Sequence, residues 1–153
     1  RLTEPTQMDL IRFPWYEFQF KIYSSPEYIE KYGIPKDVSE LSKHKIVAFG
    51  HDVEPSIPDV NCIIDLLPKK KKVKILYISN MYGVMRAIGG GAGIGALPEY
   101  MKISSNNLVP ILPDAKTPKA LIYFTYPSEL KGSKKIAALR DFLVRETNKE
   151  KQR

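Results

Sequence analysis

Residues 75–100 read ILYISNMYGVMRAIGGGAGIGALPEY, and four structural signals follow one another in them. Ile75, Leu76, Tyr77 and Ile78 form a short run of β-branched, aromatic and aliphatic residues, the composition of a strand. Ser79 and Asn80 come next, and both suit a helix N-cap. Met81, Val84, Met85 and Ile88 then recur at i, i+3, i+4 and i+7, one apolar face of a helix. Gly89, Gly90 and Gly91 predict its end, since glycine adopts the left-handed cap conformation without steric cost. Gly93 to Leu97 resume as a small-residue strand that Pro98 closes.

The order of these signals constrains their chemistry. A glycine loop that cradles a nucleotide phosphate runs strand, glycines, helix, so that the phosphate meets a helix N-terminus. Here the glycines follow the helix and sit at its negative end. Gly91, Gly93 and Gly95 therefore read as a tight turn with close helix–strand packing.

Outward from this stretch the pattern stays α/β. Leu2–Trp15 holds two prolines and scattered apolar residues and is read as one strand; Tyr16–Ser24 alternates with period two and is read as the next. Ser25 caps a helix with Pro26 at its first position, and Gly33 ends it. Asp37 and Glu40 start a short helix reaching about His44. Lys45–Phe49 is a strand, Gly50–Pro58 a loop, and Val60–Leu67, nearly all apolar, a further strand. Glu99–Ser105 is a short helix, Leu108–Leu112 a strand, and Ala120–Tyr126 a buried strand. Ser133 caps a last helix with Ile136, Leu139 and Leu143 on one face.

The 153-residue chain has one cysteine, Cys62, which excludes an internal disulfide, fits a reducing compartment and reads as a buried small hydrophobe. No apolar run is long enough for a membrane span, and no segment reads as a signal peptide. The net charge of +7 is local: Lys69–Lys72 with Lys74 supply five charges, residues 131–153 another five net, and the rest sums to −3. That distribution argues against a broad nucleic-acid face. The lysine run has a nuclear-localisation composition and would suit an anionic surface. The simpler reading is a solvated loop between two strands.

The chain carries two histidines, His44 and His51, and no HxxxH or CxxC spacing, so no metal or cofactor is expected. A Ser25, His51 and Asp52 set has the residue types of a hydrolase triad without supporting spacing, and Ser25 already has capping work. The expectation is a protein that is not an enzyme.

The strand–helix–GAGIGALP pattern resembles the effector-binding domain of LysR-type transcriptional regulators. Three further stretches agree with that family in order: KIYSSPEYIEKYG from Lys21, DVSELSKH from Asp37, and LVPILP from Leu108 with YPS from Tyr126. The resemblance implies a periplasmic-binding-protein-like (type II) α/β fold of two subdomains with an effector cleft between them. On that reading residues 1–12 are a crossing strand and remnant of the first subdomain, 13–113 a nearly complete second subdomain, and 114–153 the return strand and C-terminal helix of a partial first subdomain. A helix-turn-helix domain would lie upstream of Arg1, outside this sequence.

The function so implied is cytoplasmic sensing of a small-molecule effector, which controls DNA binding by a homo-oligomeric regulator without membrane contact. The alternative is the periplasmic solute-binding protein of a transporter, which shares the fold. Ligands in such folds sit at strand carboxyl ends and helix N-termini. The implied contacts are Arg1 and Thr3 near the crossing strand, Trp15 at the entry to the second subdomain, Phe49, Gly50, His51 and Asp52 after a strand, and Ser79 and Asn80 at a helix start. Each has a plainer role too: Trp15 in a core, Gly50 in a turn, Ser79 as a cap.

Overall fold

The computed structural model describes residues 7–50, 58–69, 71–104 and 107–151. It divides into two compact units. The larger draws on Phe18–Pro55 and Asp59–Lys119, the smaller on Arg1–Glu17, Ser56–Pro58 and Ala120–Arg153, in each case through the described residues.

Strand β1, Leu10–Ser24, is one continuous element and contributes to both units. The sequence alone reads as two strands meeting at Trp15 and Tyr16, where clear alternation begins; here they are one, with Pro14 inside it, as proline is tolerated where its position needs no ladder donor. After β1 come helix α1 (Pro26–Tyr32), a 3-10 turn (Val38–Lys43), strand β2 (Lys45–Phe49) and the short helix α2 (Cys62–Asp65). Strand β3 (Lys74–Ile78), helix α3 (Met81–Gly89) and strand β4 (Gly95–Pro98) follow, then a 3-10 segment (Glu99–Ser104) and strand β5 (Val109–Ile111). The chain continues with strand β6 (Lys119–Pro127), a 3-10 turn (Ser128–Leu130) and helix α4 (Lys134–Lys151).

In the larger unit the second half of β1 lies between β4 and β5, antiparallel to both, with Ile22 opposite Ala96 on one side and Ile111 on the other. Strands β2 and β3 form a parallel pair, Lys45 opposite Lys74 through Phe49 opposite Ile78. A parallel bridge, Ile46 to Ile94, stitches β2 to the start of β4, with Val47 N–H on Ile94 C=O at 2.8 Å and Ile94 N–H on Lys45 C=O at 2.9 Å.

The glycines of residues 91–95 are explained by this stitching. Gly91 takes φ +79° after α3, a conformation that side chains disfavour. A Cβ on Gly93 would collide with the Lys45 carbonyl; one on Gly95 would lie 2.7 Å from the Val47 carbonyl and 2.5 Å from Ile88 Cδ1. The motif is a packing device that brings β4 against β2 and α3, as its position after the helix predicts. The core forms on the same contacts: Tyr23, Val47, Val84, Met85, Ile88, Leu97 and Leu108 are buried together. Burial, with a contribution from Glu99, pushes the Tyr23 hydroxyl up to about 12.

Two expectations fail here. Val60–Leu67 is not a strand: it coils through turns, with Cys62 N–H on Asp59 C=O and Leu67 N–H on Ile64 C=O, and contains α2. A continuous apolar run of this length fits either element by periodicity alone. The lysine run consequently leads from a helical turn into β3 rather than joining two strands.

In the smaller unit β6 pairs with β1, and Ser128 N–H donates to Asp9 C=O at 2.8 Å. Strand β6 is half-buried from Leu121 to Tyr126, not buried as its apolar sequence predicts; only Ala120 is buried among this unit's described apolar residues. On α4, Leu139 and Phe142 are 47% and 49% exposed, so Leu139 is not sealed into a core face.

Candidate functional site

Because β2 and β3 are parallel, their carboxyl ends meet at one edge of the larger unit, the usual ligand position in open α/β sheets. Phe49 ends β2 and Ile78 ends β3. Gly50 N–H extends the ladder to Ile78 C=O at 2.9 Å. A Cβ on Gly50 would lie 3.6 Å from Ser79 Cα, an ordinary contact. The chain then passes through exposed Ser79 and Asn80 into α3.

Asn80, not Ser79, is the cap: its Oδ1 accepts Gly83 N–H at 2.7 Å and its carbonyl accepts Val84 N–H at 3.1 Å. The amides of Met81 and Tyr82 remain as first-turn donors for solvent or a ligand. The helix dipole places partial positive charge at the same point. A Cβ on Gly83 would lie 2.7 Å from Ile78 Cγ2, so the first turn of α3 is pressed against the end of β3. This edge is therefore closely packed, donor-rich and suited to an anionic group.

Asn61 is a residue that sequence reasoning missed. Its side-chain oxygen accepts Phe49 N–H at 2.9 Å and its amide donates to Phe49 C=O at 3.0 Å. The amide thus stands in for a neighbouring strand at the last residue of β2. The local signal was slight: Asp59 and Asn61 are the polar residues at the start of an apolar run, and Asp59 takes φ +56°, which Asp tolerates better than most residues.

The structure brings Phe49, Gly50, Ser79 and Asn80 together. Phe49 is only 8% exposed and belongs to the core. Trp15 lies in the smaller unit and is half-buried; its indole N–H is buried without a hydrogen-bond partner. Arg1, Thr3, His51 and Asp52 lie outside the described residues.

The remaining chemistry-bearing residues are engaged elsewhere. Ser25 Oγ accepts Tyr28 N–H at 3.1 Å and caps α1. Cys62 is buried, and that burial, helped by Asp59 and Asp65, pushes its thiol up to about 12, which keeps it protonated and unreactive. His44 caps the 3-10 turn through its backbone, and its Nδ1 lies 3.4 Å from the Tyr28 hydroxyl. Burial lowers the His44 pKa, Glu40 opposing it. Among the described residues no group of three or more His, Cys, Asp or Glu is placed to hold a metal ion, and no helix is long and apolar enough to cross a membrane.

The LysR substrate binding domain family matches residues 1–148. The chain belongs to this family. Among relatives of this LysR domain is the HTH-type transcriptional regulator CrgA of Neisseria meningitidis serogroup C (strain 8013), 24% identical over 136 residues, which are 86% of this chain and 44% of CrgA. This LysR domain thus spans less than half the length of that relative. The CrgA regulatory domain superposes with a TM-score of 0.72 at 23% identity, over 95% of this chain and 72% of that one. Full-length AphB, the Vibrio cholerae virulence activator, gives 0.61 at 18% identity, over 92% of this chain and 49% of that one. Full-length OxyR C199D of Pseudomonas aeruginosa gives 0.67 at 13%, over 92% and 50%. These likenesses establish the periplasmic-binding-protein-like fold of LysR regulatory domains, and nothing in them supports the transporter alternative.

Proposed function

We propose that this LysR domain binds a small anionic metabolite at the carboxyl ends of β2 and β3 and, within a longer regulator, converts that binding into altered DNA contact. Gly50, Ser79, Asn80 and the first-turn amides of α3 form the anion side of the site. Arg1, Thr3, Trp15, Phe49, His51 and Asp52 complete the candidate set carried by the family resemblance. The DNA-binding helix-turn-helix, the homo-oligomeric state, the cytoplasmic setting and the division at residues 12 and 113 belong to the same proposal. The names of the CrgA relatives and the partial span of their length support it.

The observation that carries the reading is the convergence of two parallel strand ends with the Asn80-capped start of α3. Such a point offers backbone donors and a favourable dipole to a carboxylate or phosphate. Asn80→Asp tests it. Aspartate caps a helix about as well as asparagine, so α3 survives, but a negative charge now faces the ligand. Calorimetry over a panel of metabolite-sized carboxylates should find a ligand whose affinity falls at least tenfold in N80D. A ligand bound equally well by both proteins would sink this placement of the site.

A further inference from the structure

The turn that joins α2 to β3 carries charge that nothing in the described chain neutralises. Lys69, Lys71, Lys72 and Lys74 are all exposed. Lys71 N–H closes the turn on Pro68 C=O at 3.1 Å, so the lysines project from a folded connection. Among the described residues none of the four makes a salt bridge. Paired acids among the described residues serve other cations, for example Glu99 with Lys21, Glu40 with Lys43, Asp141 with Arg140, and Glu146 with Arg145 and Lys149. Beneath the turn Ile64, Leu67, Val73 and Ile75 line a shallow depression shared with Lys69, Lys71 and Asp65. Asp65 is the one acid in that lining, too few to balance the run.

The sequence puts five like charges within six residues, Lys70 among them, and they repel one another; a polyanion relieves that repulsion while shedding its own counterions. The chemistry of the run selects among polyanions. Lysine offers a point charge with rotatable donors, which suits phosphate oxygens. Lysine can reach guanine O6 and N7, but a run of lysines with no Arg, Asn or Gln beside it carries little code for discriminating among bases. Insertion into a membrane takes an amphipathic helix with aromatic residues on its apolar face, whereas α2 has four residues and no aromatic.

We infer that lysines 69, 71, 72 and 74 form a sequence-independent contact with the phosphate backbone of duplex DNA. The choice of DNA rests on the reading of this domain as part of a DNA-binding regulator. Contacts of this kind are weak for a free domain. A tether to a DNA-bound module raises the effective concentration and makes the same contact count. The lysines would then fix how the domain lies along DNA flanking the regulator's site, without adding sequence preference.

Fluorescence anisotropy of a labelled duplex with the 153-residue chain, titrated with salt and without effector, tests this. Each phosphate contact contributes about −0.9 to the slope of log affinity against log salt concentration. The K69Q/K71Q/K72Q/K74Q protein should show a slope shallower by about 3 to 4, and at 50 mM salt at least tenfold weaker binding. The corresponding Arg protein should match the parent, and scrambling the duplex should change nothing. Melting of each variant, followed by circular dichroism, separates lost contact from lost fold. No binding of the parent at 50 mM salt, an unchanged slope in the Gln protein, or tighter binding to phosphatidylserine vesicles than to duplex would each overturn the inference. Because no effector is present, such a failure leaves the metabolite-site proposal standing.

Discussion

Ile88 on α3 and Leu139 on α4 both lie on the apolar face of an amphipathic helix, yet Ile88 is fully buried and Leu139 is 47% exposed. The larger unit brings its backbones together through Gly93 and Gly95, so side chains from β1, β2, α3 and β4 are buried against one another. The smaller unit decorates α4 with exposed ion pairs instead: Arg140 with Asp141, and Arg145 and Lys149 with Glu146. Surface pairs of this kind contribute about 0–1 kcal/mol each, whereas burying one large aliphatic side chain contributes about 1.5–3 kcal/mol. The comparison locates the stability of the chain in its larger unit.

The sharpest way to break that contrast is a matched pair of glycine substitutions. Gly95→Ala should cost at least about 3 kcal/mol, at the top of the overpacking range, because a backbone carbonyl lies in the way and cannot rotate aside. Gly132→Ala, with nothing within 4 Å of its added methyl, should move stability by no more than about 0.5 kcal/mol. Urea denaturation of both proteins reads the difference, and equal midpoints would refute the packing account of the motif. Next comes Ile88→Ala, expected to cost about 2–5 kcal/mol, against less than about 1 kcal/mol for Leu139→Ala.

Asn61→Ala should follow at about 1–3 kcal/mol, since it leaves the Phe49 N–H and C=O without their partner. Hydrogen exchange should show the Phe49 amide losing its protection first, and an unchanged rate there would contradict the role given to Asn61. The smallest effect is one of pH. The folded state holds His44 below its ordinary value of 6.5. Its contribution is therefore complete above 6.5 and declines as pH falls from there toward the lowered folded value, where the unfolded chain takes up the proton and the folded chain resists it. The melting temperature should drop across that window, and His44→Gln should flatten this part of the profile.

What could be read beforehand follows the same division. β3, α3 and the glycine turn were legible because periodicity, an N-cap residue and glycine spacing act within a few positions of one another. Strand β2 and the Ser25-capped α1 were legible for the same reason. α2 was not, because Val60–Leu67 is mostly apolar, interrupted only by Asn61 and Asp65, and such a run fits helix or strand until tertiary context chooses. The exposure of Leu139 was not, because a helical period shows which face is apolar and not what covers it. Gly50, Ser79 and Asn80 could be named from their place after strands and before a helix. Asn61 could not: its partner lies 12 residues away and is a backbone group that carries no sequence signature.

The double hydrogen bond from Asn61 to Phe49 also bears on how such a domain changes over evolutionary time. It closes a ring of chain by one side chain, fixing both ends of the connection between β2 and α2. With the ends held, lengthening or shortening what lies between them costs little, about 0.6 kcal/mol for each doubling of loop length. Insertions there would leave the register of β2 against β3 intact. One asparagine side chain would thereby let the length of that connection drift while the sheet it leaves stays as it is.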